Sequence, residues 1–364
     1  MSSTLNPLPP PAPAPGALDY AHGRYQHQRA IPRELWPLLA LALLLLFNFF
    51  FTPGFFRMEL RDGRLYGILI DIADRAAPVM LIAIGMTLVI ATGGVDLSVG
   101  AVMAISGAIA AHVVAERGQP LWLAVAAALG VSLIAGAWNG TLVAYLRVQP
   151  IVATLILMVS GRGIAQLVGK RVGQIIEVPP AAHPGFAMIG NGSFLWLPFT
   201  LTLVAIVLLG VAVLTRRTAA GLFIEAVGNN RVASRYAGIN ERFVTVTVYG
   251  LTGLCAGIAG LIAASDINAA DASYAGVNLE LDAILAVVLG GTALAGGRFY
   301  LFGTIIGALI IQAMTTTILT RNVPVELTLV VKAVIVVAVC LLQAPRFREV
   351  VATGWRRLVR RGTA

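Results

Sequence analysis

Few side chains in this 364-residue chain could do chemistry, and their placement is more informative than their number. A phosphate-binding loop of the form GxxxxGK[ST] needs a lysine amine that reaches the β- and γ-phosphates from just behind a glycine. Only Lys170 and Lys332 are present; Arg171 follows the first and Val331 precedes the second, so neither completes the pattern. The four histidines are scattered, His22 and His27 near the start, His112 and His183 further on, with no nucleophile or acid–base partner spaced around them. Cys255 and Cys340 each fall inside an apolar run and offer neither a disulfide framework nor a metal spacing. An enzyme site is therefore not expected, nor a cofactor bound by this chain. What remains are charges and polar groups inside or at the ends of apolar runs: Asp96, Ser98, Trp138, Asn139, Arg162, Gln312 and Lys332. Ionisable groups at such positions are candidates for a solute path, because burying them in lipid costs free energy that function must offset. An amide beside an aromatic plate, as at Trp138–Asn139, suits a sugar, and equally suits bonding between helices. For Asp96 a helix cap is the first reading and a gate or cavity role the second.

The elements that hold these residues follow from composition. Apolar residues make up 58% of the chain and charged ones 12%, where an ordinary soluble domain has roughly 25% charged. About 211 apolar residues suffice for about ten spans of about 20 residues each. The runs are continuous rather than alternating, which excludes a transmembrane barrel. The expectation is an all-α, polytopic helical membrane protein with about ten transmembrane helices, near 35–51, 77–93, 96–115, 121–146, 151–169, 194–214, 243–264, 281–296, 301–320 and 325–343. Residues 64–75 mix charge with apolar positions and are expected to lie in the interface. The proline-rich stretch 1–33 reads as a disordered tail, 34–345 as the transmembrane domain, and 346–364 as a basic tail.

The net charge of +9 comes from arginines between and outside the apolar runs, not from an aromatic-studded basic face, so nucleic acid is not an expected partner. With ten spans both termini share a side. If that side is cytoplasmic, the inner segments carry sixteen Lys and Arg and the outer ones eight, Arg162 and Lys332 being the rest of the 26. The excess puts both termini in the cytoplasm. The longest inner loop is 216–242, whose middle, 230–237, suits a short helix. The outer segment 265–280 is instead acidic, with Asp266, Asp271 and Glu280, and its sign suggests a solute or partner approached from outside. Gly93, Gly94, Leu97 and Gly100 recur at a constant offset of 197 as Gly290, Gly291, Leu294 and Gly297, a spacing that either duplication or chance explains.

Four blocks carry a family resemblance: GMTLVIATGGVDLSVGA at 85–101, PIVATLILMVSGRG at 150–163, EAVGNNRVASRYAGIN at 225–240 and ELDAILAVVLGGTALAGGRF at 280–299. In that order they resemble the permease subunits of bacterial ABC importers for monosaccharides, the ribose, xylose and galactofuranose group. The chain is most similar to the galactofuranose branch, in DGRLYG at 62–67, FIEAVG at 223–228, DINAADASYAG at 266–276 and GGRF at 296–299. Phe299 stands where many relatives have GGRG. The resemblance implies a sugar permease of the bacterial inner membrane that pairs with a second copy of itself. ATP and magnesium would be used by a separate cytoplasmic ATPase, and sugar would arrive on a periplasmic binding protein. It places Glu225, Ala226, Val227, Gly228, Asn230, Arg231, Ala233, Ala237, Gly238 and Ile239 in the loop that docks the ATPase. An ABC permease for another monosaccharide such as ribose, or an ion-coupled secondary sugar transporter, is the alternative; the latter commonly buries acids at mid-membrane depth, and here Asp96 and Asp282 fall at span ends.

Overall fold

The computed structural model describes residues 35–61, 64–169 and 175–321, together with positions 327, 330, 333, 334 and 337. The tails 1–33 and 346–364 and Lys332 lie outside the described residues, as does the tenth expected span apart from those isolated positions. The rest is an antiparallel helical bundle. Its helices are α1 (Leu35–Phe51), α2 (Ile68–Ala91), α3 (Val99–Ala111), α4 (Leu121–Ala144), α5 (Pro150–Val168), α6 (Pro184–Asn191), α7 (Phe199–Arg217), α8 (Ala220–Asn229), α9 (Arg231–Tyr236), α10 (Glu241–Asp266), α11 (Leu279–Leu289) and α12 (Leu301–Thr320). A π-helical turn, His112–Glu116, prolongs α3, so Val99–Glu116 is one of six helices among the described residues long and apolar enough to cross a membrane; α4, α5, α7, α10 and α12 are the others.

At the centre is α10, packed on α2, α3 and α4. Glycines let these backbones approach closely: a Cβ at Gly136 would stand 3.1 Å from Gly253 Cα, and one at Gly85 2.7 Å from Thr252 Cα. This is the small-residue packing by which helices associate where no water is present to drive them together. The apolar core, with Leu81, Ile82, Met86, Val102, Ala256 and Ile311, is nearly inaccessible.

Four boundaries differ from expectation for identifiable reasons. Residues 64–75 are not an interfacial helix: Arg64–Tyr66 is strand β2, paired with β1 (Glu59–Arg61), and Ile68 already begins α2. Its charged first turns are held by an i,i+4 pair, Arg75 Nε to Asp71 Oδ1 at 2.9 Å. The sixth span starts at Phe199 rather than 194, because β4 (Ser193–Phe194) and β5 (Leu197–Pro198) form a hairpin. Leu195 and Trp196 make its turn with φ of 50° and 66°, the two left-handed residues that a tight turn of matching twist requires. The third helix begins at Val99, not 96, after an irregular turn. Most consequential, the eighth span stops at Leu289, where the Gly290 backbone lies directly on that of Gly303 and Gly291 turns at φ 91°.

At 11 residues α11 is about 16 Å long, roughly half of a bilayer's hydrocarbon core. Before it the irregular segment 267–278, which contains strand β6 (Ala269–Asp271, paired with β3, Ile175–Glu177), descends until Gly276 meets Gly100 near the start of α3. Two helices, α3 and α11, thus begin beside one another within the bundle.

Candidate functional site

The bundle has an acidic end and a basic end. Asp71 and Asp74 at the start of α2, Asp266 at the end of α10 and Asp271 in β6 share the first; Arg216, Arg217, Arg231, Arg235 and Arg242 share the second. A cavity of about 870 Å³ opens at the acidic end, a size typical of small-molecule sites. It is lined by the charged residues Asp71, Asp74, Arg75, Asp266 and Asp271, by the polar residues Thr200, Tyr274, Gln312, Thr315 and Thr316, and by Pro78, Met103 and Gly260 among others. Irregular backbone at membrane depth is tolerated where it lines a wet cavity, and the descending segment does so through Tyr274, Ala275 and Gly276.

The charged lining is organised. Thr200 donates to Asp74 Oδ1, Arg64 Nη2 stands 3.6 Å from Asp74 Oδ2, and Arg75 shares its Nε–H between the two Asp71 oxygens at 2.9 and 3.0 Å. Asp271 Oδ1 accepts the amides of Ser273 and Tyr274 at 2.9 and 3.1 Å and so shapes the first turn of the descent. The surface presents carboxylates, hydroxyls and an amide, and its one lining cation is already engaged. It can accept hydrogen bonds from hydroxyls and is poorly suited to an anion.

Beyond the cavity the path is sealed by the apolar core, and then by a buried polar chain. Asp96 Oδ1 accepts from the Ser98 amide at 2.9 Å and from Ser98 Oγ at 2.6 Å, and Asn139 Nδ2 donates to Ser98 Oγ at 2.9 Å. All three residues are almost fully buried. Tyr249 Oη donates to the Val95 carbonyl at 3.3 Å, pinning the same turn to α10.

At the basic end, backbones touch. The Gly297 amide donates to the Ala91 carbonyl at 2.9 Å, and Arg231 Nη2 donates to that of Thr92 at 3.2 Å. Gly228 of α8 lies between them: a side chain there would collide with the Ala91 carbonyl oxygen and stand 2.6 Å from the Gly297 nitrogen. The loop 216–242 is therefore two helices, the second capped by Asn230, whose Oδ1 accepts the Ala233 amide at 3.0 Å.

Of the ten residues placed in that loop by resemblance, Asn230, Ala233, Ala237 and Gly238 are exposed, Glu225, Ala226, Gly228, Arg231 and Ile239 half-buried and Val227 buried. Leu222, Phe223, Val232 and Tyr236, which sequence reasoning did not single out, present the exposed apolar face; their signal was an apolar side chain on a short helix with no core left to cover. Asp96, Ser98 and Asn139 come together, and Gln312 lines the cavity. Trp138 does not join them: adjacent helical residues point about 100° apart, and Trp138 is 57% exposed on the outward face. Arg162 donates to the Ala275 carbonyl of the descending segment. Asp71, Asp74 and Arg75 were missed as lining residues, the mixture of charged and apolar positions over 64–75 having placed them in the interface.

The branched-chain amino acid transport system / permease component family matches residues 68–340. The chain belongs to that family. The galactofuranose transporter permease protein YtfT of Escherichia coli (strain K12) is 52% identical over 320 residues, 86% of this chain and 92% of that one. The fructose import permease protein FruF of Bifidobacterium longum (strain NCC 2705) is 39% identical over 88% of this chain and 90% of its own. The ribose import permease protein RbsC of Escherichia coli (strain K12) is 36% identical over 88% and 96%. No solved structure matches. The chain is thus a multi-pass membrane permease and not an enzyme.

Proposed function

We propose that this permease is the membrane-spanning part of an ATP-driven importer that carries galactofuranose across the bacterial inner membrane. The observation that carries the reading is the cavity at the acidic end, with acceptors and hydroxyls on its walls and its lining arginine, Arg75, held by Asp71. A neutral sugar donates hydrogen bonds to such a surface. An amino acid, which the family description names, brings a carboxylate into a lining where Arg75 is outnumbered by Asp71, Asp74, Asp266 and Asp271. The 52% identity to a galactofuranose permease selects the sugar.

In this reading both termini are cytoplasmic, the acidic end faces the periplasm and receives sugar from a binding protein, and two copies of the chain line one path. The chain binds no cofactor; ATP and magnesium belong to a cytoplasmic ATPase that docks on α8 and α9, where Leu222, Phe223, Val232 and Tyr236 are exposed among arginines. The conformation is open outward and sealed inward. Closure of the ATPase moves α8, and Gly228 passes the displacement as backbone contact to the turns at 91–94 and 296–297, exchanging one packing of the helices for another.

The test is reconstitution of the chain with a candidate ATPase and binding protein in liposomes, measuring ATP hydrolysis and uptake with galactofuranose, ribose, fructose and leucine. Stimulation and uptake by galactofuranose alone is the expected result. Response to ribose or fructose moves the sugar, response to leucine overturns the substrate class, and uptake driven by an ion gradient without any ATPase overturns the mechanism.

A further inference from the structure

One buried charge has no place in the account so far. Glu280 lies in the first turn of α11, only 6% exposed, and its Oε2 is buried without a hydrogen-bond partner. A buried, unpaired carboxylate oxygen is costly enough that its persistence asks for a physical reason. Part of the reason is local: the carboxylate sits at the N-terminus of its own helix and beside that of α3, where a Cβ on Gly100 would stand 2.6 Å from Oε2, and helix N-termini favour negative charge. That explains how the oxygen survives in this conformation, not why a carboxylate is used.

The second charge is Arg162 on α5. Its guanidinium is within electrostatic reach of Glu280, yet the two form no ion pair here. Arg162 instead donates through Nη1 to the Ala275 carbonyl. Ala275 stands beside Tyr274 and Gly276 in the descending segment that walls the cavity. The segment is also held by Asp271, which accepts the Ser273 and Tyr274 amides, and by the close backbone contact of Gly276 with Gly100. The arrangement holds one donor and two acceptors, of which one is satisfied.

We infer that Arg162 and Glu280 are positioning residues forming a latch on the cavity wall: Arg162 holds Ala275 while the cavity is open outward and transfers to Glu280 when the descending segment closes over the sugar. The inference rests on the transport reading above. It gives the unsatisfied oxygen a partner in the second state and gives an in-span arginine a task other than touching the solute. A two-state element of this kind needs a discrete change of partner, not a gradual deformation.

The test uses the complete reconstituted importer. Glu280→Gln keeps the shape and one acceptor oxygen but removes the charge of the closed-state partner; maximal uptake is expected to fall about tenfold. Half-saturation by sugar-loaded binding protein should stay within about twofold, because docking precedes closure. Arg162→Glu and Glu280→Arg singly place like charges together and are expected to be worse. Combined, they restore the pair but not the bond to Ala275, so uptake should rise at least about fivefold above either single variant at equal complex yield. Glu280→Gln uptake within about twofold of wild type, or a double reversal no better than the singles in an assembled complex, overturns the latch. Should the wild-type chain itself fail to couple ATP to uptake, the transport reading fails instead, which separates the two.

Discussion

At the acidic end, a cavity of about 870 Å³ is walled by side chains with room around them and by backbone that leaves the helix before crossing. At the basic end, by contrast, Ala91, Gly228 and Gly297 meet backbone to backbone, with no space for a single added carbon. The same bundle therefore joins a compliant half, where side chains choose what enters, to a stiff half, where contacts carry displacement. In the proposed reading, specificity and force transmission are separated between the two ends of the bundle. A substitution should report which half it sits in by whether it changes uptake or integrity.

The contrast is sharpest for Gly228→Val, expected to destabilise by about 3 kcal/mol because backbone atoms cannot move aside for the new side chain. Thermal unfolding in detergent, with ATPase co-purification alongside, checks this; an unfolding midpoint equal to wild type would break the picture of a stiff end. Next, Asp96→Ala removes the acceptor for both Ser98 donors and should cost about 2 kcal/mol. Asp96→Asn keeps one acceptor oxygen and should cost about half as much; equal losses in chemical denaturation would place the effect in cavity formation rather than hydrogen bonding. At the compliant end, Asp271→Asn retains the oxygen that accepts two amides and should change stability by less than about 1 kcal/mol. Uptake is nevertheless expected to fall about threefold, and a variant that unfolds early while transporting normally would invert the assignment of the two ends. The smallest effect, of opposite sign, belongs to Gly210→Ala: nothing lies within 4 Å of the added carbon, so the gain is helix propensity, at most about 1 kcal/mol, with uptake unchanged.

How much of this was legible in the sequence divides along physical lines. Apolar runs announced the long helices, and the loop 216–242 announced α9 though not α8, because these signals are local. The break of α11 at Gly290 was invisible, since it depends on Gly303 thirteen residues on in another helix. The hairpin at 193–198 was equally hidden, its left-handed positions being Leu195 and Trp196 rather than the Asn-Gly pair that marks such turns. Hydropathy also assigns Leu281 and Leu289 alike, although one is 52% exposed and the other buried. For the site, the expectation that Asp96 caps a helix is not met: Ser98 is the N-cap of α3 and makes no side-chain cap bond, its hydroxyl donating to Asp96 instead, and Asn139, 41 residues from Ser98, completes the chain only in three dimensions. The glycine spacing at offset 197 does not extend to conformation: Gly93 turns at φ 77° while its counterpart Gly290, the C-cap of α11, stays at −68°.

The half-length helix α11 has an electrical consequence. Where water follows the descending segment into the bundle, the low-dielectric layer is reduced to the sealed half below Met103. A membrane potential then falls across that half alone, about 2.3 kcal/mol per elementary charge for each 100 mV. Uncharged cargo crosses this concentrated field without electrical work.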